Sequence, residues 1–187
     1  MRKEILVEEY IKKYGLFIHP EELQQHEDNV GEKVLVPLLI CLGYSEKDII
    51  RKPRLLHTII SKSGIEPDYG IFPYKERIYK IKNKTVSTKQ YGIVVDVKKY
   101  KKELTKEMED KLAGYCALSG AIYGILTNGE KLIVIQPIRG AVEWDYLDYI
   151  PTKNQLERII KGGKIGEYKK SDIIYATRIV KELTEEE

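Results

Sequence analysis

The chain has 187 residues, 42% of them hydrophobic and 33% charged, with 32 Lys and Arg against 29 Asp and Glu for a net charge of +3. That length suits one domain with a core of its own. So mild a basic balance excludes nucleic-acid binding by bulk charge; local clustering would have to supply it.

Two cysteines, Cys41 and Cys116, are too few for a disulfide scaffold and belong to no Cys/His cluster of the kind zinc requires. Each falls in an apolar helical pattern, which predicts buried thiols. No run reaches the ~18 apolar residues of a membrane span. Met1 to Glu4 lead into a charged segment unlike a signal peptide. The expectation is a cytoplasmic protein with no membrane partner.

In chain order, Ile5, Leu6, Tyr10 and Ile11 recur at helical spacing and predict a short amphipathic helix over 3–14, ended by Gly15. His19-Pro20 marks a turn. Residues 29–42 read as a second helix with a stripe of Val34, Leu35, Leu38, Leu39 and Leu42, stopped by Gly43. Glu32 falls in its first turn, where a carboxylate favours the helix dipole. Ser45-Glu46-Lys47-Asp48 opens a further helical turn. Residues 52–62, basic and apolar by turns, fit neither helix nor strand decisively. Gly64 to Phe72 reads as a turn leading into a strand, with Pro67 at its start. Residues 76–90, rich in Lys, Asn and Thr, read as a hairpin or loop.

Ile93-Val94-Val95-Asp96-Val97 then predicts a buried strand. Its alternation puts Asp96 and Lys98 on one face, Val95 and Val97 on the other. A helix follows from Thr105 to Ser119, stopped by Gly120, with Met108, Leu112, Tyr115, Cys116 and Leu118 as its stripe. Ala121 to Leu126 is an apolar strand, Asn128-Gly129 a type I′ hairpin turn, and Leu132 to Ile135 the returning strand. Trp144, Tyr146 and Tyr149 read as a packing cluster. Thr152-Lys153-Asn154-Gln155 is a capping box that opens a helix to about 160, broken by Gly162-Gly163. Ser171 caps a last helix to Leu183. The expected fold is α/β, a mixed sheet flanked by helices, with a core over 1–150 and a helical extension over 151–187 packed on the same domain.

A carboxylate and an ammonium side by side at the end of an apolar strand cost desolvation energy. One account is a modest ion pair at an exposed strand end. The other is chemical. Asp68 follows Pro67 at the head of one strand, and if that strand neighbours the one bearing Asp96, the two carboxylates converge on a hard divalent ion. The ion would lower the pKa of a water and offset charge on a phosphate. Lys98 would orient the water or stabilise the developing charge, and Glu32 could supply a third carboxylate. Lys99, Lys101 and Lys102, with Tyr100 among them, adjoin this site as candidate DNA contacts. Arg51, Lys52 and Arg54, and separately Lys161, Lys164, Lys169 and Lys170, are weaker ones. His19, His26 and His57 are scattered and read as non-catalytic.

Pro67-Asp68 followed by Asp96-Val97-Lys98 resembles the signature of the PD-(D/E)xK nucleases. The wider ordered set is Glu32 to Leu39, Leu42-Gly43-Tyr44, Pro67-Asp68-Tyr69, the catalytic strand, and Gly124-Ile125-Leu126-Thr127-Asn128-Gly129. It resembles the N-terminal nuclease domain of type I restriction enzyme R subunits over residues 25–140 or so. The resemblance implies a restriction-endonuclease-like fold and a metal-dependent DNA endonuclease, either restriction-type or standalone. It implies Mg²⁺ or Mn²⁺ held by Asp68, Asp96 and Glu32, with Lys98 as the catalytic lysine. Where the family often carries Gln-x-x-x-Tyr on the next helix, Tyr115 matches the tyrosine and Lys111 replaces the glutamine, so both join the candidate DNA contacts. No Gly-x-x-x-x-Gly-Lys-Ser/Thr loop is present, so no ATP-driven motor is expected in this chain. The module would act alone, as a homodimer, or with a separate motor or specificity subunit. The alternative is a non-catalytic nucleic-acid-binding or assembly module on the same fold.

Overall fold

In the computed structural model, residues 1–55, 66–81 and 83–185 are described. The readings of 56–62, His57 included, and of Gly64-Ile65 fall outside them. Seven strands form one mixed sheet: β1 (Ile5–Leu6), β2 (Ile49–Arg51), β3 (Tyr69–Ile81), β4 (Lys84–Val97), β5 (Tyr123–Thr127), β6 (Lys131–Arg139) and β7 (Glu143–Leu147). Their order is β1-β6-β5-β4-β3-β2, with β7 also paired to β6. Among the described strands only β4 and β5 run parallel. Parallel neighbours need a crossover, and helix α5 (Lys106–Ser119) supplies it.

The other helices are α1 (Val7–Tyr14), α2 (Pro20–Gln25), α3 (Glu27–Val30), α4 (Val36–Cys41), α6 (Lys153–Lys161) and α7 (Lys170–Glu185). A π turn, Gly31–Leu35, joins α3 to α4. Glu46–Asp48 form a 3₁₀ turn behind a Ser45 capping box.

The alternation in β4 divides the core. Ile93, Val95 and Val97 pack with Val34, Leu35, Leu38, Leu39, Ile125 and Leu156 on one face of the sheet. Val94 packs with Leu112, Cys116, Leu126, Ile133, Ala176 and Val180 on the other. Each such side chain contributes about 1.5–3 kcal/mol when fully buried. The C-terminal helices join both layers, α6 through Leu156 and α7 through Ala176 and Val180, so both helices pack on the same sheet.

Several elements differ from the sequence reading, each for a physical reason. Ile5 and Leu6 form an edge strand against Leu132 and Lys131; pairing with β6 satisfies backbone groups that a helix start would leave open. Pro20 opens α2 instead of turning the chain, as a proline can at a first helical position. Cys41 is exposed while Cys116 is buried; Leu38 and Leu39 take the inward positions at the end of α4. At Asn128-Gly129 only Gly129 has positive φ, at +84°. A type I′ turn needs it at both central residues. Instead the Asn128 side chain accepts from the N–H groups of Glu130 and Lys131, at 2.9 and 2.8 Å. α7 begins at Lys170, ahead of Ser171, and Asp172 Oδ2 accepts from the Lys169 N–H at 2.8 Å. β7 was not anticipated. Among the described residues no helix is long and apolar enough to cross a membrane.

Candidate active site

The β3–β4 register pairs Tyr69 with Val95. One step further, Asp68 lies across from Asp96, and the two carboxyl groups come within hydrogen-bonding reach of each other. Asp68 is further held by its backbone, with its N–H on Val95 O at 3.0 Å and its carbonyl accepting from the Lys52 N–H at 2.8 Å. Its Oδ2 accepts from the Val97 N–H at 2.6 Å. Asp96 is 6% exposed. Its Oδ2 is buried without a hydrogen bond and lies 3.4 Å from Lys98 Nζ. Burial first, and the adjoining Asp96 carboxylate second, push the Asp68 carboxyl up to about 8. Two carboxylates this close repel each other, a repulsion that a cation between them would relieve.

Glu27, in the first turn of α3, also faces this cluster. Its pKa is raised by burial, held back by Lys98 and Lys102 and pushed further by Asp96. Sequence reasoning missed it, because nothing in Glu27-Asp28 distinguishes it from any other acidic helix start.

Glu32 has other partners. Arg51 Nε donates to its Oε1 and Oε2 at 2.8 and 3.1 Å, and the Tyr69 hydroxyl donates to Oε2 at 2.5 Å. With Asp28, Arg51, Lys52, Asp68 and Tyr69, it lines a cleft of about 210 Å³. So the structure brings Asp68, Asp96 and Lys98 together and adds Glu27. Glu32 sits in the wall of the cleft, tied to β2 and β3. Among the described residues no three or more His, Cys, Asp and Glu side chains are grouped to hold a metal by themselves.

Gly31 makes the cleft wall possible. A Cβ there would lie 2.3 Å from the Tyr69 hydroxyl and 2.8 Å from its ring. Gly31→Ala should displace Tyr69 from Glu32. Overpacking costs about 1–3 kcal/mol, offset in part by the ~1 kcal/mol better helix propensity of alanine. The expected outcome is a net loss of about 1 kcal/mol and a melting point lowered by ~2–4 °C, checked by thermal denaturation.

Lys99, Lys101 and Lys102 are exposed beside the site. Their loop is pinned to the β5–β6 turn by the Lys101 N–H on Asn128 O at 3.1 Å and by Asn128 Nδ2 on Lys102 O at 2.7 Å. Lys111 and Tyr115 are 5% and 2% exposed. Both are as deeply placed as Asp96 and Lys98, unlike the exposed lysines of the loop. The Tyr115 hydroxyl donates to Glu66 O at 3.3 Å and so steadies the segment that carries Asp68.

Compared with protein-family models, curated proteins and solved structures, the chain matches none.

Proposed function

We propose that the chain is a metal-dependent DNA endonuclease built on a restriction-endonuclease-like core. The observation that carries this reading is the pairing of Asp68 with Asp96 beside Lys98, with one Asp96 oxygen buried and lacking a hydrogen bond. The element order around it, helix, three antiparallel strands, crossover helix and parallel strand, supports the fold assignment.

The donor set fits Mg²⁺ or Mn²⁺, which take one or two carboxylates together with waters and phosphate oxygens. Asp68 and Asp96 would hold the ion, which when bound lowers the pKa of a water and offsets phosphate charge. Lys98 presents an ammonium beside the reacting phosphate, where charge builds during in-line attack. The Val97 N–H orients the Asp68 carboxylate. Glu27 adds negative charge near Lys98 and Asp96, and Lys99, Lys101 and Lys102 would position the DNA backbone. Cutting both strands would take a second copy or a separate subunit.

The test is nicking of supercoiled plasmid in Mg²⁺ or Mn²⁺, wild type beside Asp96→Ala. Nicking by the wild type alone is the expected result; equal nicking by both would sink the assignment. Within the site, Glu27→Gln should slow nicking about 10–100-fold, the range for residues that tune a metal ligand. Glu32→Gln should cost less than about tenfold, since its charge is already met by Arg51. Single-turnover rates check the ranking.

A second reading, a non-catalytic nucleic-acid-binding or assembly module, is favoured by the engagement of Glu32 with Arg51 and Tyr69, which leaves two carboxylates. Calorimetric titration with Mg²⁺ or Mn²⁺ separates the readings. A nuclease site binds the ion and loses it in Asp68→Ala, and a module that kept only the fold binds none.

A further inference from the structure

β3 and β4 run well past the sheet. β4 meets β5 only from Ile93 to Val97, and β2 meets β3 only from Tyr69 to Ile71. From Lys75 paired with Gln90 to Ile81 paired with Lys84 the two strands pair only with each other among the described residues. Here one face is exposed, with Glu76, Ile78 and Lys80 on β3 and Thr85, Ser87 and Lys89 on β4, while Arg77, Val86 and Thr88 on the other are half-buried; Lys75 and Lys84 are exposed at the two ends. Ile78 is 68% exposed. An isolated two-stranded ribbon is marginally stable in water, so this one has not been kept for its contribution to the core.

The root of the ribbon is built firmly. Gln90 is 1% exposed, and its Nε2 donates to Gly120 O and Gly166 O at 2.9 and 2.8 Å. The Tyr74 hydroxyl donates to Gly120 O and accepts from the Gly166 N–H, both at 3.1 Å. A register shift between Pro73 and Lys75, after Phe72 at φ +57°, turns the strand away from the sheet.

Residues 74–89 hold six Lys and Arg against the single Glu76, a net +5 in a chain whose total is +3. The ribbon therefore carries more than the whole net positive charge, and the remainder of the protein is acidic. We infer that this ribbon is a duplex-DNA-binding arm. A two-stranded β-ribbon fits the major groove of B-DNA, and seven residue pairs span about 23 Å. The deep, narrow major groove of A-form RNA would not admit it. Single-strand binders rely on aromatic platforms, and the segment has no Trp, Phe or His and two Tyr, of which Tyr74 is tied to Gly120 and Gly166 at the root. The arm leaves the sheet at the N-terminal end of β4, while Asp96 lies at its C-terminal end. Lys84 is twelve residues from Asp96, about 40 Å along the strand, so arm and site would grip DNA roughly one helical turn apart. The inference deepens the nuclease reading by naming a contact away from the cut, but the binding it describes does not depend on cleavage.

The experiment is fluorescence-anisotropy titration of a labelled DNA duplex in chelator, at 50–200 mM salt, which excludes cleavage. Lys75, Lys80, Lys84 and Lys89 are changed together to Gln. Each lost phosphate contact should lower the slope of log K against log salt by about 0.9. The quadruple variant should then lose ~3.6 in slope, so that over this salt range its affinity falls ~150-fold less steeply than that of the wild type. Arginine at the same four positions should restore the slope. Lys80→Gln and Lys84→Gln, each expected to lose ~0.9, serve if the quadruple variant does not fold. An unchanged slope overturns the arm, as does tighter binding to duplex RNA or to single strands than to duplex DNA. Mg²⁺ calorimetry on the same variants reads the Asp68–Asp96 pair separately and should match the wild type, so failure of the arm and failure of the nuclease reading are distinguishable.

Discussion

Asp96→Asn should cut Mg²⁺- or Mn²⁺-dependent nicking by more than about 100-fold, because loss of even an outer partner of a metal ligand costs 10–100-fold. The same substitution should flatten the fall in stability of the metal-free protein between about pH 4 and about pH 8. Burial and then the Asp96 carboxylate hold the Asp68 carboxyl near 8 in the folded chain, whereas an unfolded chain releases that proton near pH 4. Protonation therefore favours the folded state. The stabilisation is full below about pH 4 and is lost as pH rises through about 8. An asparagine removes the like charge and with it part of the loss. It also deprives the buried Lys98 ammonium of the Asp96 charge, which costs about 3–5 kcal/mol, so the variant should melt below the wild type while its stability varies less with pH. Mg²⁺ should raise the wild-type melting point, more at pH 8 than at pH 6 since protons compete for the same oxygens, and should leave Asp96→Asn unmoved. Differential scanning calorimetry across that pH range, with and without the ion, measures all of this.

Lys98→Met should also lower stability. Its Nζ lies 3.4 Å from Asp96 Oδ2, with both side chains 8% exposed. Removing one partner of a buried pair costs about 3–5 kcal/mol because the other charge stays behind, which lowers the melting point by ~6 °C or more. Nicking should fall about 100–1000-fold, the usual loss when a donor aimed at developing charge is removed. Ion binding, measured by calorimetry, should persist. Ion binding carries the discrimination: it should be lost in Asp96→Asn and kept in Lys98→Met. Were Asp96 and Lys98 only a structural ion pair, a wild-type melting point unmoved by Mg²⁺ or Mn²⁺ would show it and end the metal-site reading.

Much of the fold was legible because it follows from local chemistry. The helix of Lys106–Ser119 is capped by Thr105 and stopped by Gly120 at φ +64°, as its pattern predicts. The Thr152–Gln155 capping box opens α6. Where tertiary pairing competes with local preference, the sequence misled: Ile5-Leu6 went to the edge of β6, and Asn128-Gly129 turned by way of its side chain. The residues 76–90, read as a hairpin or loop, proved to be a long ribbon whose charge stands out only once both strands are seen to leave the sheet.

By itself the sequence determined that Asp96 and Lys98 share a face, since side chains alternate along any strand. It also determined that a buried strand would carry them, because three consecutive β-formers, Ile93, Val94 and Val95, precede Asp96 and Val97 follows it. Only the tertiary structure decided what meets them. A one-residue slip of β3 against β4 would send Asp68 to the opposite face; the pairing of Tyr69 with Val95 sets it beside Asp96 instead. The packing of α3 and its π turn on the sheet likewise decided between two glutamates five residues apart. Glu27 faces the carboxylate pair, and Glu32 is given to Arg51 and Tyr69. Strand periodicity is a property of the chain, but register and helix rotation are set by what the whole core can pack.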